Sequence, residues 1–109
     1  MNITVYLGST EGKDPAFKQA VMELGNWIGE SCNSLVYGGS KTGLMGVLAK
    51  SVLDVGGAVT GVETQFFVDA DVQYEGLTEL IVAPDMAERK TKMIQLGDAF
   101  IAFPGGTGT

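Results

Sequence analysis

Residues 34–62 read SLVYGGSKTGLMGVLAKSVLDVGGAVTGV, and this stretch holds one whole strand–helix–strand unit. Ser34–Tyr37 is a short apolar run closed by Gly38-Gly39, as suits a strand buried on both faces. Gly43 opens a helix in which Leu44, Val47, Leu48, Val52 and Val55 return at helical spacing on one face. Gly56-Gly57 ends it, as glycines placed after a last helical turn do. Ala58–Val62 is the next strand. Two strands joined by a crossover helix pair in parallel, and the crossover returns over the sheet in a right-handed sense.

The alternation continues on both sides of this unit. Upstream, Ile3–Leu7 (ITVYL) is a strand ending at Gly8-Ser9-Thr10, and Asp14-Pro15 starts a helix with an acidic N-cap and a proline at the first helical position. Phe17, Ala20, Val21, Leu24 and Ile28 recur along that helix. Downstream, Thr64–Gly76 is polar and irregular, long enough for a loop with functional content. Leu77–Val82 is a fourth strand, Pro84–Leu96 a third helix, and Asp98–Phe103 (DAFIAF) a fifth strand of buried type. The expected fold is α/β: a Rossmann-like, doubly wound parallel sheet with helices on both faces. No repeat, low-complexity tract or linker interrupts it, so residues 1–109 are expected to form a single nucleotide-binding domain. Ligands of such sheets bind at the carboxyl ends of the strands. Gly8-Ser9-Thr10, Gly38-Gly39-Ser40 and Pro104–Thr109 all fall at that edge, which makes Gly39 and Ser40 candidate substrate contacts.

Composition narrows the chemistry. A hydrophobic content of 45% over 109 residues fits a globular chain with a modest core. No apolar run reaches membrane-spanning length, and the N-terminus lacks the basic stretch of a signal peptide. Cys32 is the single cysteine, so no intrachain disulfide forms, which suits a cytoplasmic protein. There is no histidine, which removes His-based triads and most zinc or iron sites. The net charge of −6 argues against nucleic acid as a partner. A phosphate ligand would therefore depend on local positive groups.

Three segments bear on such a ligand. Gly38–Gly46 (GGSKTGLMG) is neither a Walker A loop, since Leu44-Met45 stands where Lys-Ser/Thr is required, nor GxGxxG; it fits an anion loop and a plain strand-to-helix turn equally well. Pro104–Thr109 (PGGTGT) has three glycines and two threonines in six residues, denser than a turn needs, and favours convergence of backbone N–H groups and hydroxyls on a phosphate. Met86, Arg89, Lys90 and Met93 share one helix face. The methionines imply that this face turns inward, so its two cations either meet an anionic ligand or snorkel to water. Asp69 and Asp71, in the polar loop, read on their own as solvated carboxylates.

Taken together, these segments resemble the Lonely Guy family of nucleoside 5′-monophosphate phosphoribohydrolases, long labelled lysine decarboxylase-like. The resemblance rests on Gly8-Ser9, Tyr37-Gly38-Gly39, Gly43-Leu44-Met45-Gly46, Gly76-Leu77-Thr78-Glu79-Leu80, Met86 with Glu88-Arg89-Lys90, and Asp98-Ala99-Phe100-Ile101 leading into Pro104–Thr109, in the family's order and spacing. It implies a Rossmann-like, cytoplasmic, usually homodimeric enzyme. Such an enzyme cleaves the N-glycosidic bond of cytokinin riboside monophosphates, and often of AMP, giving free base and ribose 5-phosphate. It implies no cofactor, and nothing in the chain reads as a pyridoxal phosphate lysine site. It assigns Arg89 as the catalytic arginine, Lys90 as a nucleotide-binding neighbour, and Gly105, Gly106, Thr107, Gly108 and Thr109 as the phosphate loop. Asp71 falls where many members place a glutamate. The family's catalytic glutamate follows the position of Thr109, so these residues are expected to be incomplete at the C-terminus and inactive alone. Glycosidic cleavage through an oxocarbenium-like transition state needs a carboxylate near the sugar C1 and an anchored phosphate. A noncatalytic nucleotide- or phosphate-binding module of the same fold is the alternative.

Overall fold

The computed structural model describes residues 1–6, 15–39, 43–65 and 76–102. Strand β1 (Asn2–Tyr6) leads to helix α1 (Pro15–Glu30), β2 (Ser34–Tyr37), α2 (Gly43–Asp54), β3 (Ala58–Thr64), β4 (Glu79–Ala83), α3 (Met86–Leu96) and β5 (Ala99–Ala102). The five strands form one sheet in the order β4-β3-β2-β1-β5, and every pairing is parallel. The chain steps outward from β1 to β4 and then returns through α3 to the far side of β1. The expected α/β architecture is present, and strand order reverses beside β1.

Alternation along the strands divides the core between the two faces. On one face Ile3, Val5, Leu35, Tyr37 and Val59 pack with Val21 and Ile28 of α1 and with Leu44, Leu48, Ala49 and Val52 of α2. On the other, Val36 and Val62 pack with Met93 of α3, with Tyr6, Ile81 and Leu96 around them. Among the described residues, helices therefore cover both faces, α1 and α2 on one side and α3 on the other. The first layer is tight because α1 and α2 meet at glycine: a Cβ on Gly25 would come within 2.6 Å of the Ser51 Cβ. On the second face the fully buried Thr4 hydroxyl donates to the Met93 carbonyl at 3.0 Å, tying α3 to β1.

Element boundaries shift where polar groups decide them. β1 starts one residue early and ends at Tyr6. β3 runs two residues past Val62, because Glu63 and Thr64 still pair with Val82 and Ala83. β4 starts at Glu79, since Leu77 packs into the first core and the Thr78 hydroxyl accepts the Val59 N–H at 3.0 Å. α3 starts at Met86 rather than Pro84: Asp85 is extended (φ −153°) and its carboxylate accepts the Glu88 N–H at 2.9 Å. Along β5, Ala99 and Ile101 are half-buried, Ala102 is exposed and Phe100 is 50% exposed; among the described residues this strand pairs with β1 alone. Phe17 of α1 is also exposed rather than core. Asp14, Leu7 and Phe103, and most of the 64–76 loop, lie outside the described residues.

Candidate functional site

In a parallel sheet the helix that follows a strand begins at the carboxyl edge. β4 ends at Ala83, Asp85 caps α3, and the first turn of α3 therefore delivers Arg89 to that edge. Its Nε–H donates to the Val62 carbonyl at 2.8 Å, and Nη2 donates to the Gly38 carbonyl at 2.9 Å. A weaker contact runs from Nη1 to the Met86 sulfur at 3.7 Å. One guanidinium thus joins the ends of β2 and β3 from a helix on the second face. Its side chain is 14% exposed.

The approach depends on glycine. A Cβ at Gly38 would fall on Arg89 Nη2, so no side chain is tolerated there while the guanidinium holds its place. Gly39 has φ +84°, a left-handed backbone that glycine adopts freely. It packs beside Glu63, where its own Cβ would stand 3.4 Å from the Glu63 Cβ.

Glu63 completes the cluster. It is only 3% exposed, and its Oε1 lies 3.7 Å from Arg89 Nε and accepts the Thr64 N–H at 3.3 Å. Burial raises its pKa above the usual carboxylate range; the Arg89 charge and the Thr64 N–H pull it back without cancelling the effect of burial. The pair brings a fixed cation and a buried carboxyl group to the strand ends, where an anion can meet the guanidinium.

Of the residues expected from sequence, Arg89 and Gly39 come together here. Met93 turns inward as expected, but Met86 and Lys90 are exposed, so the inward face carries one cation and not two. A helix of 3.6 residues per turn brings i+3 and i+7 onto the sheet here, while the flanking i and i+4 positions look outward. Ser40, Asp69, Asp71, Gly105, Gly106, Thr107, Gly108 and Thr109 lie outside the described residues. Glu63 lies one residue beyond Val62, where apolar spacing alone ends the strand, so the sequence does not mark it as a site residue. The available signal was a lone carboxylate at the carboxyl end of an apolar strand. Among the described residues no helix is long and apolar enough to cross a membrane.

Comparison with known proteins places this geometry. The family described as "Possible lysine decarboxylase" matches over residues 45–109. The chain is 46% identical over 109 residues to a cytokinin riboside 5'-monophosphate phosphoribohydrolase of Rhodococcoides fascians, covering 99% of this chain and 55% of that protein. It is 40% identical over 107 residues to a protein of the same name from Arabidopsis thaliana, covering 98% and 49% respectively. The chain spans about half the length of these curated relatives. Among solved structures, the molybdenum cofactor carrier protein of Chlamydomonas reinhardtii superposes with a TM-score of 0.82 at 20% identity, over 98% of this chain and 64% of that one. At that identity the likeness concerns the fold.

Proposed function

The chain belongs to the family described as possible lysine decarboxylase, and from that premise we propose that its protein hydrolyses the N-glycosidic bond of nucleoside 5′-monophosphates. The substrates are cytokinin riboside monophosphates and AMP, and the products are free base and ribose 5-phosphate. The reaction is taken from the names of the relatives at 40% and 46% identity, not from the family's description. The observation in this chain that carries it is Arg89. A guanidinium has five N–H donors. Three have acceptors at the ends of β2 and β3 or on Met86, and the rest have none among the described residues. A half-buried cation with donors to spare, at the sheet edge where ligands bind, suits an anionic substrate.

In this reading Arg89 is the catalytic arginine and supports the reacting ribose electrostatically. Gly105, Gly106, Thr107, Gly108 and Thr109 anchor the 5′-phosphate, and Gly39 and Ser40 are further substrate contacts. Asp71 and Lys90 are further nucleotide contacts; the exposed Lys90 reaches the ligand from the rim. Residues 1–109 act as one domain of a cytoplasmic homodimer that needs neither nucleic acid nor membrane. Incubating the full-length protein with AMP and with an N6-substituted AMP, followed by chromatography, is expected to yield free base and ribose 5-phosphate. Nucleotide binding with no base released would overturn hydrolysis in favour of a noncatalytic nucleotide-binding module.

A further inference from the structure

Glu63 is a carboxylate that neither the fold nor the proposed reaction has yet accounted for. It is 3% exposed, near the end of β3, at the register position where β4 presents Val82. Its Oε1 has the Thr64 N–H and, at 3.7 Å, Arg89 Nε. Its Oε2 has no hydrogen-bond donor among the described residues and lies against Gly39, whose Cβ would stand 3.6 Å away. An ionised carboxylate accepts roughly four hydrogen bonds, and the described residues fill little of that capacity. A half-satisfied buried charge weakens a fold, and an apolar side chain of similar size would serve packing better.

Arg89 does not need Glu63 for its hydrogen bonds, which go to the Val62 and Gly38 carbonyls. Two neutral carbonyls cannot supply a counter-charge, however, and no other carboxylate pairs with Arg89 among the described residues. Among the described residues the charge balance lies between these two groups. β2 ends beside them in Gly38 and Gly39, α2 begins with Gly43, Leu44 and Met45, and β4 contributes Val82. Among the described residues Arg89 of α3 is the charged group that faces Glu63.

We propose that Glu63 is a positioning residue for Arg89: its carboxylate supplies the counter-charge that keeps the guanidinium seated across the ends of β2 and β3, with its unused N–H groups available to a phosphate ester. The inference deepens the proposed function and rests on it, since it assumes that Arg89 meets the nucleotide. When the anionic substrate arrives, Arg89 is already oriented, and Glu63 limits how tightly the ground-state anion is held. That favours turnover over tight binding.

Two variants of the full-length protein test this. Glu63→Gln keeps the shape and removes the charge. It is expected to melt at or above the wild-type temperature, to lower kcat for AMP on the order of tenfold to a hundredfold, and to leave KM unchanged or lower. Wild-type kcat is expected to fall with falling pH as Glu63 takes up its proton, and Glu63→Gln is expected to lack that limb. Glu63→Asp, which restores the charge one methylene short, is expected to recover part of kcat. A Glu63→Gln protein with wild-type kcat and an unchanged acidic limb overturns the inference. So does unfolding of both variants, which would make Glu63 structural. If the wild-type protein releases no base, it is the reaction that has failed, and Glu63 is then decided by calorimetric titration with AMP and with inorganic phosphate. Several-fold tighter binding to Glu63→Gln, with a flatter pH dependence, is expected; equal or weaker binding overturns the inference.

Discussion

At the scale of single residues, Arg89 carries two burdens that can be separated. Arg89→Ala removes the cation from the ligand edge and is expected to lower kcat/KM by on the order of a hundredfold. It also strands the Val62 and Gly38 carbonyls and leaves Glu63 buried without its partner, which costs about 1–3 kcal/mol. The double variant Arg89→Ala/Glu63→Gln should recover much of that stability and none of the activity, as thermal melts beside base-release assays would reveal; equal melting of the single and double variants would mean that Glu63 carries no burial cost. The pH dependence has a definite sign. Glu63 has a folded pKa above its unfolded one, with burial the main cause. Its contribution to stability is therefore full below the unfolded pKa and is lost as pH rises through the folded value. Glu63→Gln should match the wild type in acid and become relatively more stable toward neutral pH. A melting difference that shrinks with rising pH would contradict this.

At the scale of elements, the site depends on where α3 begins. Asp85, extended and accepting the Glu88 N–H, fixes the first turn one residue before Arg89. Asp85→Ala is expected to cost about 1 kcal/mol in stability and to lower kcat more than a matched surface change such as Asp54→Ala on α2. Equal activities in the two variants would show that the cap does not help to place Arg89. These elements also mark what the sequence made legible. Ser34–Tyr37 and the helix from Gly43 stood out because apolar spacing and glycine stops agreed. Strand and helix alternation was enough for the parallel sheet and the helices on both faces. Glu63 was hidden because a strand end is set by pairing with a neighbour, here Val82, and one sequence does not display its neighbours. Lys90 was overcounted because a methionine signals an apolar neighbourhood but not which side of the helix lies in it.

At the scale of the whole molecule, nucleotide recognition is spread over the sheet edge. If the glycine loop anchors a 5′-phosphate there, binding energy far from C1 orients the sugar, and a nucleoside without phosphate loses that help. AMP is therefore expected to be processed with a much higher kcat/KM than adenosine by the full-length protein; equal values would remove the phosphate anchor. The sheet has a further consequence, one of timing. β1 is the first strand made, and its neighbours on one side, β2 to β4, follow in order and can be added as the chain lengthens. Its other neighbour, β5, arrives with residues 99–102, and the Asp98 N–H then closes on the Asn2 carbonyl at 2.7 Å. On the ribosome β1 must wait with one side open until almost all of the described chain has been synthesised. For that interval a strand that the finished sheet pairs on both sides is an edge, exposed to unwanted neighbours that the finished sheet turns away.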